Sequence, residues 1–239
     1  MNANLGADQE TWAGKALRNL KAALNESRWK PGEKLPTERE LAEMLGVKRM
    51  SLRQALLALE NEGSIFRIDR RGWYISQPRF IYDPQQHVSF QQAAAGQGSA
   101  NWLDTSKEYI GATDAEAARF GIDPGARLLR VQGWGAFNGH RIFVHDVQIN
   151  SAIAPDYAEK LADRSFTAVW TEDYGIEPKL TDLMIRPVRL EGAPQQVLGC
   201  TSGAPGLYIR RVKSDAQGRV IQIDREFWRF EALEIRFSL

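Results

Sequence analysis

The chain has 239 residues, a formal net charge of +1 and 43% hydrophobic content, enough for one large packed domain or two smaller ones. Its one cysteine, Cys200, excludes an internal disulfide framework and a multi-cysteine metal site and suits a reducing cytoplasm. No apolar run approaches the roughly 18 residues of a membrane span, and the opening MNANLGADQE lacks the basic and apolar regions of a secretory leader.

The first element predicted is an amphipathic helix carrying Trp12, Ala16, Leu17, Leu20 and Leu24 and ending near Asn25–Ser27. A second helix starts after Leu35-Pro36. Thr37 is its N-cap, and Glu40 three residues on completes a capping box. Leu41, Leu45 and Val47 are spaced to face inward, and Gly46 ends the helix. A third helix follows at once, with Leu52, Ala55, Leu56 and Leu59 as its apolar stripe and Gly63 as its stop. That stripe leaves Arg49, Arg53 and Gln54 on other faces. Ile65–Ile68 and Gly72–Ile75 then read as two strands joined by a basic tip, Asp69-Arg70-Arg71. Two tightly joined helices, the second opening with Lys48, Arg49, Ser51 and Arg53, suit entry into a DNA major groove. A basic hairpin beside them suits phosphate contact.

Charge supports this division only mildly. Residues 1–76 hold 13 Lys and Arg against 10 Asp and Glu, while the remainder holds 18 against 20. Placement of individual arginines must therefore matter more than bulk attraction.

Residues 11–76 resemble the DNA-binding domain of the GntR family of bacterial transcription regulators. The matching segments are LPTERELAEMLGVKRMSLRQALLALENEG and RIDRRGWYI. The resemblance implies a winged helix-turn-helix in which Arg39, Arg49, Ser51, Arg53 and the wing's Arg71-Gly72 contact operator DNA. Lys48, Gln54 and Arg70 stand beside them as further candidates. Lys48 replaces the family's usual serine, exchanging a capping hydroxyl for a phosphate-seeking cation.

Residues 77–100 carry two prolines and a Gln/Ala/Gly/Ser-rich run, and residues 77–98 are expected to be a linker. Phe80-Ile81-Tyr82 and Val88-Ser89-Phe90 could dock on a neighbour. From residue 99 onward strands dominate. They are predicted at 107–112, 127–137, 141–149, 181–190, 207–214, 220–228 and 233–237, with helices at 114–120, 154–161, 165–174 and 193–198. Asn138-Gly139 and Asp215–Gly218 are hairpin signals. The expectation is an α+β fold: a DNA-binding domain over 1–76, then an antiparallel sheet with helices on one side over 99–239.

This second region resembles the UTRA ligand-binding domain of the HutC subfamily, whose fold is similar to chorismate lyase. Asp123-Pro124-Gly125-Ala126-Arg127-Leu128, the Asn138-Gly139 hairpin, SFTAVWTEDYGI and GLYIRRVKSDAQGRVIQIDREFWRFE carry the likeness, in family order. The resemblance implies a regulator that binds operator DNA as a homodimer and responds to a small metabolite, anionic in some relatives. No catalytic residue, cofactor or metal is expected. The histidines are His87, His140 and His145, without a nucleophile motif or ligand spacing around them. The alternative is a chorismate-lyase-type enzyme carrying a DNA-binding appendage.

Where family members carry an Arg pair for anionic ligands, this chain has Gly133 and Gly135. They either leave space on the buried face or mark a β-bulge. His145 shares a strand face with Phe143, Val147 and Ile149, and is either a pocket residue or a core histidine. Gln222 and Trp228 match ligand-holding positions, with a polar strand edge as the other reading. Ser89 and Ser165 match hydroxyl positions, and Ser165 also reads as an N-cap.

Overall fold

The computed structural model describes residues 11–85, 89–162 and 164–237; His87 lies outside them. Contacts divide the chain into two compact units, residues 1–79 and 80–239.

The first unit is three helices and a hairpin. Helix α1 spans Trp12–Asn25, α2 Glu38–Leu45 and α3 Arg49–Glu62. The capping box expected at Thr37 and Glu40 is formed, so two otherwise unpartnered donors are satisfied at the start of α2. Gly46 adopts φ +61°, the left-handed conformation that lets α3 begin three residues later at a new angle. Leu20, Leu41, Leu52, Leu56, Leu59, Ile65 and Trp73 form the core. Trp12, read from the sequence as part of the inward stripe, is 60% exposed, because it opens α1 beyond the reach of that core. Strands β1 (Ile65–Ile68) and β2 (Gly72–Ile75) pair antiparallel around the Arg70-Arg71 tip.

In the second unit, β4 (Ala100–Gly111), β5 (Arg127–Phe137), β6 (His140–Asn150), β7 (Lys179–Leu190), β8 (Ala204–Ser214) and β9 (Val220–Arg229) form an antiparallel sheet ordered β4-β5-β6-β9-β8-β7. Helix α5 (Asp114–Phe120) begins with its own capping box. Helices α6 (Tyr157–Leu161) and α7 (Phe166–Ala168) pack with a following π-turn, Val169–Asp173, on the face bearing Leu129, Val131, Val147 and Ile149. The other face carries α5, against Leu128 and Ile223, and α8 (Gly192–Leu198), against Val144 and Phe227. Helices therefore cover both faces, not the one expected. Apolar residues alternate onto both sides of the central strands, so each side needs a cover.

The expected linker is also partly structured. Phe80–Tyr82 is a strand, β3, pairing in parallel with β10 (Leu233–Ile235) near the far end of the chain. Phe90–Ala93 is a short helix, α4, capped by Ser89. Strand β4 begins at Ala100, seven residues earlier than its sequence pattern indicated. No helix among the described residues is long and apolar enough to cross a membrane.

Candidate functional site

Two surfaces carry the chemistry, one in each unit. In the first, Arg39, Lys48, Arg49, Arg53, Gln54, Arg70 and Arg71 are all exposed. Arg49 and Arg53 are one helical turn apart at the start of α3, so their guanidinium groups leave the same side of the helix. Ser51 differs: it is 8% exposed, on the side of α3 that packs inward with Leu52 and Ala55. Gly72 holds φ +100° at the end of the wing turn. Lys48 is the N-cap of α3 but offers no capping hydrogen bond; its ammonium lies 5.3 Å from the ring of Trp12. Sequence reasoning passed over Met50, 70% exposed on the opening turn of α3, and Trp12 beside Lys48. A helix presenting two free guanidinium groups, a carboxamide and an apolar tip can read guanine, adenine and thymine edges in a major groove.

In the second unit a cavity of about 390 Å³ opens on the face of the sheet that bears α6 and α7. Ser89, Ser165, Gln222 and Trp228 line it, together with Phe90, Trp102, Lys107, Phe166, Arg211 and Asp224. Both serines cap helices, Ser89 accepting from Gln92 N and Ser165 from Ala168 N, each at 3.2 Å. Each hydroxyl keeps its proton to donate. Gln222 accepts a hydrogen bond from the buried Trp170 indole at 2.6 Å and donates to Asp224 at 2.5 Å. Trp228 is stacked on Phe143, with centroids 4.0 Å apart.

Gly133, Gly135 and His145 do not line the cavity. A Cβ on Gly133 would meet the Leu103 carbonyl and His145 Nε2, and one on Gly135 would meet the Phe143 ring. The space left by the absent side chains is thus filled from within. Register shifts occur beside both glycines, between Asp104 and Ser106 and between Gly135 and Ala136, as the bulge reading anticipated. His145 lies behind Trp102, its ring stacked at 4.0 Å. Burial pushes its pKa down to about 3, against the opposing pull of Asp224 and the carbonyls of Leu103 and Val131. It is therefore neutral at pH 7, and its 3.6 Å approach to Asp104 is not an ion pair.

The polar floor of the cavity lies on β8 and β9, and its β8 half, Arg211 and Lys213, escaped sequence reasoning. Lys213 Nζ lies 3.0 Å and Arg211 Nε 3.3 Å from Asp224 Oδ2, and Arg211 also pairs with Glu226. Burial raises the Asp224 pKa, but Lys213 and Arg211 outweigh it and hold the carboxyl below its usual range. For Glu226 burial prevails over Arg211, and its pKa is raised. Burial likewise lowers Lys213. Arg211 also donates to the Tyr82 hydroxyl of β3, tying that strand to the floor. Among the described residues no group of three or more His, Cys, Asp or Glu is placed to hold a metal.

A winged helix-turn-helix with an exposed cationic recognition helix, followed by a sheet domain with a polar cavity, defines a ligand-responsive DNA-binding transcription regulator. Known proteins agree. Residues 13–75 match the model of the bacterial regulatory proteins of the gntR family, and residues 100–234 match the UTRA domain. The HTH-type transcriptional regulator YihL of Escherichia coli is 42% identical over 98% of this chain and 100% of its own length. The HTH-type transcriptional repressor NagR of Bacillus subtilis is 24% identical over 89% of this chain and 88% of its own. The crystal structure of PhnF from Mycobacterium smegmatis superposes with a TM-score of 0.65 at 22% identity, over 92% of this chain and 98% of that one. The chain belongs to the GntR family of transcription regulators, in its UTRA-containing branch. These relatives are regulators, and none of them supports the chorismate-lyase-type enzyme.

Proposed function

We propose that this protein is a repressor that binds a pseudo-palindromic operator as a homodimer in the cytoplasm and is released when an effector fills the second-unit cavity. The observation that carries this reading is the pair Arg49 and Arg53, exposed on the opening turns of α3, with no carboxylate in ion-pair range among the described residues. In that role Arg39, Lys48, Arg49, Arg53, Gln54 and the wing residues Arg70, Arg71 and Gly72 face DNA. Ser51 supports the start of α3. Two recognition helices would sit about 34–36 Å apart, one DNA turn. NagR and PhnF are named as repressors, which supports the same sign of regulation here.

The effector is a small molecule held among Ser89, Ser165, Gln222 and Trp228, and an anionic group on it would lie toward Lys107. Arg164 is already paired with Glu172 and Asp173, so Lys107, Arg211 and Lys213 balance Asp104, Asp224 and Glu226 in the lining. The DNA-binding domain spans residues 1–76, a linker residues 77–98 and the effector-binding domain residues 99–239. The test is a mobility shift with DNA from upstream of the protein's own gene, together with light scattering of the complex. A symmetric footprint bound by two chains is expected. A monomer on DNA, or no sequence preference at matched salt, overturns the reading.

A further inference from the structure

The cavity floor has a composition that restricts its ligand further. Strands β8 and β9 set Arg211 opposite Asp224 and Lys213 opposite Gln222, with Glu226 next along β9. Donors and acceptors therefore alternate across a buried surface. The charges already balance, since two cations face two carboxylates in direct contact. Capacity for further hydrogen bonds remains. Lys213 has three donors and one carboxylate partner, and each carboxylate has more lone pairs than its partners occupy. The aromatic rings of Phe90, Trp102 and Phe166 also line the cavity.

A ligand group entering such an array must both donate and accept. A hydroxyl has one donor and two acceptor sites, so it bridges an acid and a base without separating them. Hydroxyls on adjacent carbons do this twice, at the spacing of neighbouring groups on the floor. An anion without hydroxyls would instead draw Arg211 or Lys213 away from Asp224 and Glu226, stranding a buried carboxylate at high cost. A purely apolar ligand would cover the spare donors and leave them unsatisfied.

We propose that Arg211, Lys213, Gln222, Asp224 and Glu226 read vicinal hydroxyl groups, and that the effector is a polyhydroxylated, carbohydrate-class molecule whose C–H faces lie on the aromatic walls. This rests on the cavity being the effector site. Any anionic substituent lies away from the floor, toward Ser89, Ser165 and Lys107.

The test uses the full chain in thermal-shift and calorimetric titrations. One set of probes is hexoses, pentoses and alditols. A second is the same sugars bearing a phosphate or sulfonate. A third is the hydroxyl-free anions inorganic phosphate, ethylphosphonate and imidazole-4-carboxylate. Binding is expected within the first two sets, and the comparison between them shows what the anionic substituent adds. The third set is expected to leave the melting temperature unchanged. Asp224→Asn should weaken the best sugar at least tenfold, and Gln222→Ala, which keeps the ion pairs, should do the same if Asp224→Asn does not fold. A hydroxyl-free anion binding as tightly as the best sugar, a silent sugar panel, or wild-type sugar affinity in a folded variant overturns the proposal. Operator binding is measured on the same preparation without ligand. Its loss breaks the regulator reading, whereas intact operator binding with a silent sugar panel sinks only the carbohydrate class.

Discussion

At Gly135 the missing side chain is a packing requirement. A Cβ there would meet the ring of Phe143, which is itself held at 4.0 Å against Trp228 and cannot retreat. Gly135→Ala is therefore expected to destabilise the protein by about 1–3 kcal/mol, the usual cost of overpacking a tight core. Urea unfolding monitored at the second unit measures it, and an unchanged midpoint would show that Phe143 has room to move. His145 makes a second residue-scale prediction. Its folded pKa, about 3, lies below the unfolded value near 6.5, so the unfolded chain takes up a proton that the folded chain refuses. The stability due to neutral His145 is complete above pH 6.5 and falls as pH drops toward 3, by about 1.4 kcal/mol per pH unit once well below 6.5. The neighbours Trp102, Phe143 and Phe166 do not titrate, and the Asp224 carboxyl, held below its usual range, remains charged over the upper part of that window. His145→Gln should flatten the slope between pH 7.5 and 5. A slope equal to that of the wild type would show that the histidine is protonated in the folded state.

At the scale of elements, α3 is where sequence and operator meet. Arg49→Ala and Arg53→Ala should each cost about 1–3 kcal/mol of specific binding if they pair with guanine edges. A uniform loss across all sequences, with a smaller salt slope, would mark them as phosphate contacts instead. Lys48→Ser restores a capping hydroxyl at a cap that now has none. It should raise unit stability by about 0.5–1 kcal/mol while lowering the salt slope by about one. Helices and wing in this unit were legible because their signals are local: a capping box, a left-handed glycine, an apolar stripe. Strands β5, β6, β8 and β9 were legible for the same reason, through alternation and the hairpin residues between them. Strand β3 was not. Its three residues pair with Leu233–Ile235, about 150 positions away, and no local pattern encodes so distant a partner. The cavity floor was half legible. Gln222, Asp224, Glu226 and Trp228 fall on one face by simple alternation. That Arg211 and Lys213 stand opposite them depends on the β8–β9 register, including the shift between Lys213 and Ser214.

At the scale of the molecule, β3 is the cavity-lining element nearest in sequence to the DNA-binding unit. Tyr82 lines the cavity and accepts from Arg211, and only Phe80 and Ile81 separate it from the last residue of the DNA-binding unit. Phe80 and Tyr82 both stack on Trp228, at 6.0 and 5.5 Å. A ligand that takes up hydrogen bonds from Arg211 thus competes with the contact that fixes the orientation of Tyr82. An effector shifts an equilibrium only by its differential affinity for two states, typically about 1–3 kcal/mol of coupling. Removing a contact that differs between those states should reduce that coupling without abolishing either binding event. Tyr82→Phe keeps the ring stack on Trp228 and deletes only the hydroxyl. Its operator affinity without ligand should stay within about threefold of wild type, a change of under about 1 kcal/mol. The ratio of operator affinities with and without saturating effector should fall about fivefold or more, a loss of about 1 kcal/mol of coupling. Both follow from one set of fluorescence-anisotropy titrations of labelled operator, repeated at increasing effector. If the ratio is unchanged while Arg211→Lys abolishes it, the signal leaves the floor by β8 or β9 rather than β3, and the strand next to the DNA-binding unit is structural only.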